Sequence, residues 1–404
     1  MQKMKKLKSS LNGDIMFDIL SRLPVKPLLG MKRVSRGWRA MISSFPFIKS
    51  QMEKTGLSLT GFIFQEKFQW CSDDIKTVSH IALDSQSSKK VLHNVFDFLP
   101  EYVVILASCD GLVCCRSCFP CSDPSVYLCN PSNKEWIRIQ WPWHKLKPSR
   151  NESIGIAFDF DSDSRKECNE IFVKFKLVKL QFCLDEYEDE DEDDDEEWYI
   201  EFHVYSSETK EWKVSSEVCH CDHNLIKNKG VHIGGVLHWL TDGDQVLSFD
   251  VEKELALLIS VPVPAFEFST VPEACIGDHN GKLHYVLVSE IGLHVWYLED
   301  YYEFKWTLKH FKDLDEIERE YPQFFLNLKN HVSQRVSMES SPWMNPLGFK
   351  DGVLLLKVCA TLYLYDIDNN KISHACYVQD LSPKSMHDPT VFPHCLSLFP
   401  LKLA

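Results

Sequence analysis

In the first fifty positions apolar residues recur three and four apart, the period of a helix with one buried face. Ile15, Ile19, Leu20 and Leu23 share such a face. Gly13-Asp14 opens it, with the Asp14 carboxylate near the positive end of the helix. Pro24 ends it, because the residue before a proline is pushed out of the α region. Pro27 suits the first turn of a second helix, which carries Leu28, Leu29, Met31 and Val34. Ser35 is placed to cap a third helix bearing Trp38, Met41 and Ile42. After residue 56 the pattern changes. Short apolar runs rich in Val, Ile, Phe and Tyr read as strands, among them Gly61–Phe64, Val103–Leu106, Phe202–Tyr205 and Leu362–Tyr365. Asp313–Glu320 is the best candidate there for a short helix.

The strand region repeats itself. Asn130-Pro131-Ser132-Asn133-Lys134-Glu135-Trp136 matches Ser206-Ser207-Glu208-Thr209-Lys210-Glu211-Trp212, with weaker copies at Asp84–Val91, Asp250–Leu255 and Asp366–Ile372. Each copy reads as a tight turn between strands. Upstream of most lies a glycine turn, at Gly111, Gly234-Gly235, Gly281 and Gly352, where glycine supplies a positive φ. Gly111 to Gly155 and Gly235 to Gly281 are each about 45 residues apart. That period is the length of a four-stranded propeller blade. Six units are expected, around 56–100, 101–145, 150–215, 225–265, 270–335 and 340–380. Closure would pair the tail, roughly Thr390–Leu398, with the first unit.

Three helices in about 40 residues bury little core, and modules this small usually need a partner, a metal or disulfides. Residues 11–50 contain no cysteine and no metal-ligand spacing, so a partner surface is what remains. Leu11-Asn12-Gly13-Asp14-Ile15, Ile19-Leu20-Ser21-Arg22-Leu23-Pro24 and Val34-Ser35-Arg36-Gly37-Trp38 together resemble the F-box motif. Asn12 stands where that family usually has proline. The resemblance implies docking on the Skp adaptor of SCF ubiquitin ligases, and through it on cullin. The implied docking residues are Leu11, Ile15, Ile19, Leu20, Leu23, Pro24, Val25, Leu28, Leu29, Val34, Ser35 and Trp38. In the body, Val231–Trp239 and Ile154–Asp159 resemble the kelch-like F-box-associated domain of plant F-box proteins, which selects the protein to be ubiquitinated. The expected fold is therefore an all-α three-helix F-box at 11–50 followed by an all-β, six-bladed kelch-like β-propeller at 56–404.

Composition adjusts this picture in three places. The net charge of −14 is concentrated: between Asp185 and Glu197 only Tyr187 is not acidic, and the remainder is near −2. That segment reads as a solvated blade insertion, and no basic patch marks a nucleic-acid footprint. Lys3, Lys5, Lys6 and Lys8 lie in residues 1–10, read as a basic disordered tail with no apolar stretch of a secretory signal behind it. The apolar runs are strand-length, so no membrane span is expected. The 15 cysteines are odd in number and sit in apolar segments, which suits free thiols in the cytoplasm or nucleus.

Candidate chemistry is sparse. Cys115, Cys118 and Cys121, or Cys219, His220, Cys221, Asp222 and His223, hold zinc-type donors, but neither set has the paired spacing of a zinc ribbon or finger. Trp70, Trp141, Trp143 and Trp343 are candidate ligand anchors near loops. No catalytic residue, metal or cofactor is assigned. A target-binding receptor of a ubiquitin ligase is the leading expectation. A propeller binding protein acting outside a ligase and a propeller enzyme are the rivals.

Overall fold

The computed structural model describes residues 13–66, 76–83, 91–93, 95–121, 123–141, 153–159, 174–184, 198–338, 340–382, 386 and 389–401. The acidic segment 185–197, the basic tail 1–10, Leu11, Asn12 and the weak repeat copy at 84–90 lie outside these residues.

Four helices come first: α1 (Gly13–Ser21), α2 (Val25–Met31), α3 (Arg36–Ile42) and α4 (Phe45–Thr55). The fourth was not expected. Its pattern is weakly amphipathic, but Pro46 lies in its first turn and Gly56, at φ 68°, closes it. It brings Phe47 and Ile48 beneath the other three helices.

The body consists of sheets that are antiparallel but for one seam. β1 (Leu59–Glu66), β2 (Val78–Ala82) and β3 (Val91–His93) begin the first. The next holds β4 (Val103–Cys109), β5 (Leu112–Ser117), β6 (Ser125–Asn130) and β7 (Glu135–Gln140). The third holds β8 (Ser153–Asp159), β9 (Lys174–Leu184), β10 (Trp198–Ser206) and β11 (Glu211–His220). The fourth holds β12 (Val231–Ile233), β13 (Val236–Leu240), β14 (Gln245–Asp250) and β15 (Leu255–Ser260). An eight-stranded sheet follows. One half is β16 (Glu273–His279), β17 (Lys282–Val288), β18 (Gly292–Asp300) and β19 (Lys305–Asp313). Helices α5 (Leu314–Glu320), capped by Asp313, and α6 (Leu328–Val332) lead to the other half. That half is β20 (Met344–Lys350), β21 (Val353–Val358), β22 (Thr361–Asp366) and β23 (Lys371–Tyr377). The halves join where β16 and β20 pair in parallel, at Gly277–Phe349 and Asp278–Lys350. A Cβ at Gly277 would lie 1.9 Å from the Phe349 carbonyl oxygen, so the seam needs glycine.

The first sheet takes its missing strand from the end of the chain. β24 (Pro389–Cys395) pairs antiparallel with β1, from Glu66–Pro389 to Leu59–Cys395. This is the closure expected of the tail. β24, β4, β8, β12, β16 and β20 neighbour one another in a closed circle, so the architecture is a β-propeller.

The repeated phrases are its turns. Asp110-Gly111, Gly234-Gly235, Asn280-Gly281 and Asp351-Gly352 all have positive φ at both residues, the signature of a type I′ hairpin between first and second strands. The Lys-Glu-Trp phrase turns the third strand into the fourth, with Lys134 and Lys210 at φ near 60°. A further copy, Asp300–Lys305, was not foreseen. Gly155 is not a turn glycine: it lies inside β8, where a Cβ would meet Leu237 at 2.7 Å. Sheets are also tied side to side. Trp212 Nε1 donates to Gln140 O at 3.0 Å, and Trp306 Nε1 to Ser260 O at 2.8 Å.

Candidate functional site

In such a meander the two kinds of repeated turn lie at one end of the ring, and the remaining loops lie at the other. The helices sit at the turn end. Asn130 in the β6–β7 turn donates to Ser397 O, Ser397 Oγ and Phe399 O at 3.3, 3.0 and 2.8 Å. Glu135 accepts from Leu401 N at 2.8 Å. The tail held there carries Leu398, Phe399 and Leu401 into one apolar cluster with Leu20, Val25, Leu28, Ile42 and Phe47. The motif phrase thus anchors the tail between module and ring, a role its repetition elsewhere did not announce.

Within the module, Ser35 Oγ accepts from Trp38 N at 3.1 Å, the cap expected of it. Phe17 meets Phe47 edge-on, with centroids 5.3 Å apart. Lys54 bridges back to Asp18 at 2.9 Å and to Ser21 Oγ at 2.7 Å. Lys54 and Arg22 together hold the Asp18 carboxyl below the usual carboxylate range.

The expected docking residues divide by exposure. Ile15 and Ile19 are each 49% exposed and Val34 is 66% exposed. Pro24 and Ser35 are also exposed. Leu23, Leu29 and Trp38 are half-buried against the core. Leu20, Val25 and Leu28 are buried. Those three serve the interior, where they pack with Ile42, Phe47 and Ile48. Leu11 lies outside the described residues. Around the exposed apolar positions stand Arg22, Lys26, Arg33, Arg36 and Arg39, all exposed, giving this surface a basic rim.

The zinc-type candidates do not converge. Cys115 and Cys118 are buried in and beside the second sheet, and burial pushes the Cys115 thiol well above its usual range. Cys219 and Cys221 are core residues, and burial pushes Cys219 up to about 12. Among the described residues one trio of donors does meet: Cys109, Asp110 and His232, at the turn end of the axis. There Gly235 N donates to His232 Nε2 at 3.2 Å. The ring proton of the neutral imidazole therefore sits on Nδ1, 3.4 Å from Cys109 Sγ. A metal would need that nitrogen bare, so the trio fits a hydrogen-bonded lining better than a ligand set. Of the candidate aromatic anchors, Trp141 is core and Trp343 stacks on His331 at 3.9 Å. Trp70 and Trp143 lie outside the described residues.

A small helical module with an apolar, basic-rimmed face on a propeller body is the arrangement of an F-box protein, and residues 9–50 match the F-box domain. Residues 80–328 match the family described as F-box protein At3g26010-like, beta-propeller, and the chain belongs to that family. Its relatives are plant proteins. F-box protein At5g49610 of Arabidopsis thaliana is 27% identical over 310 residues, 74% of this chain and 75% of that one. F-box protein At5g07610 of Arabidopsis thaliana is 25% identical over 331 residues, 77% of this chain and 72% of that one. Among solved structures, apo AztD from Citrobacter koseri is 9% identical with a TM-score of 0.35, covering 79% of this chain and 96% of that one. A score that low has no bearing on function.

Proposed function

We propose that this chain is the target-receptor subunit of an SCF-type ubiquitin ligase. Residues 11–50 dock on a Skp-type adaptor, and through it on cullin, while the propeller from residue 56 onward holds a target protein. The observation that carries the reading is the exposed trio Ile15, Ile19 and Val34 on a module whose own core is already filled. Large apolar side chains left in water beside exposed arginines suit a partner with an apolar groove and acidic margins. The chain performs no chemistry itself. It raises the effective concentration of target lysines near the enzyme that carries ubiquitin. Counting the eight-stranded sheet as two blades gives a ring of six, and the glycine-turn phrases support a kelch-like relation. The described cysteines are all free, which suits the cytoplasm or nucleus.

Co-expression with a Skp adaptor and size-exclusion chromatography tests this. A one-to-one complex is expected, weakened at least tenfold by Ile19→Asp with the unfolding midpoint unchanged. Separate elution of two folded proteins would refute the docking assignment. Asn12, in place of the usual proline, favours a second reading, a propeller binding protein outside a ligase. Recovery of the adaptor without cullin would select it.

A further inference from the structure

The axis of the ring carries two lysines in opposite circumstances. At the turn end, Lys350 Nζ lies 3.1 Å from Asp278 Oδ2, and Asp110 and Asp351 add to the charge that keeps it protonated. At the loop end, Lys229 lies on the connection entering β12. It lines two cavities of about 40 Å³, one on each side of it along the axis. Its Nζ donates one hydrogen bond, to Leu347 O at 3.1 Å. No acidic side chain among the described residues pairs with it, and its ionisable neighbours are the Cys275 thiol and Lys227. Glu273, on the same cavity wall, is taken by Arg335. Lys229 is half-buried. An ammonium has three donors, and one partly withdrawn from water without a counter-charge bears a cost. Desolvation accordingly pushes Lys229 below the usual lysine range.

Two more polar groups face the same space. Asn345 and Thr390 are buried, line the outer cavity and have no side-chain hydrogen-bond partner among the described residues. Their polar atoms are therefore open to the cavity and free to meet a ligand there. Beside Lys227 and the Arg335-paired Glu273, the remaining wall is largely apolar, with Ile276, Leu347 and Val391 among its residues.

We propose that this axial cavity binds a small carboxylate. The Lys229 ammonium pairs with one oxygen, the Asn345 amide and Thr390 hydroxyl donate to the carboxylate, and the apolar wall covers a short alkyl stub. A volume of about 40 Å³ suits an acetate-sized group. The carboxylate comes either from a free short-chain acid or from the C-terminus of a polypeptide entering from the loop end. The site lies away from the helical module, so it is independent of adaptor docking.

The test is the unfolding midpoint of the full chain in sodium acetate against sodium chloride at equal ionic strength. A saturable rise is expected for the wild type. It should vanish in Lys229→Met, which keeps the side-chain stem and removes the charge, and adaptor binding should be unchanged. Thr390→Val, nearly isosteric, should weaken the acetate response at least threefold, and it decides the matter if Lys229→Met fails to fold. Short peptides separate the sources. Tighter binding of a free-acid peptide than of its C-terminal amide, by tenfold or more, assigns a polypeptide terminus. An acetate response without that difference assigns a free acid. An equal acetate response in wild type and both variants, or no saturable response in the wild type, overturns the proposal.

Discussion

Several histidines of the ring are buried where a charge finds no support. Burial pushes His238 and His394 down to about 3 and His80 down to about 4. Burial keeps His238 neutral although the Val231 carbonyl, 3.3 Å from Nδ1, pulls the other way; the Tyr301 hydroxyl lies 2.9 Å from Nε2. His394 meets His80 edge-on at 5.9 Å. Unfolded, each would titrate near 6.5. Above that pH neither state binds the proton and stability is complete. Below it the unfolded chain gains protons that the fold refuses, so stability falls from about pH 6.5 towards 3. Between pH 6.5 and 5 a fully buried histidine forfeits about 2 kcal/mol. Denaturant titrations at pH 7 and pH 5 should show this loss, and His394→Phe should make it shallower by about that amount. Asn130 makes a second residue-scale prediction. It is buried and donates to three acceptors on the tail, so Asn130→Ala should cost about 1–3 kcal/mol and speed proteolysis after residue 395.

At the scale of elements, the docking helices separate two kinds of leucine and isoleucine that one helical stripe had merged. Leu28→Ala removes a buried group and should cost about 2–5 kcal/mol of stability, read from a denaturation midpoint. Ile19→Asp should leave that midpoint in place and act on adaptor binding alone. Periodicity found the stripe, because apolar groups at three and four residues define a face whatever lies against it. It did not say which part of the face looks inward, since that depends on α4. Turn chemistry was the more legible signal. A type I′ hairpin needs positive φ twice, which restricts it to Gly, Asn and Asp and writes it into the chain. The copy at Asp300–Lys305 escaped because Phe304 occupies the left-handed position, at φ 51°, where other copies have Lys, Glu or Asn. Gly155, which marked one end of a spacing of about 45 residues, is a packing glycine inside β8 and not part of the turn signal. Lys229, Asn345 and Thr390 form no motif at all. They are far apart in sequence and meet only because separate strands begin at the same mouth.

For the whole molecule, the two ends of the ring are chemically distinct. The turn end carries the helices, the clamped tail and the carboxylates around Lys350. The loop end carries α5, α6 and the mouth at Lys229, and there β9 ends and β10 begins. Under the proposed function, a target held at the loop end would stand the height of the propeller away from the adaptor. Its integrity rests on β24, which supplies the inner strand of the first sheet. Removing residues 389–404 should abolish a single cooperative unfolding transition in calorimetry rather than lower it by a few degrees, since β1 would lose its inner neighbour and the circle its closure. The same pairing has a consequence for synthesis. When β1 to β3 leave the ribosome, the strand that completes their sheet has not been made, and it arrives some 300 residues later. Until then β1 presents an unpaired edge bearing Phe62, Ile63 and Phe64, a natural client for a chaperone that holds nascent chains.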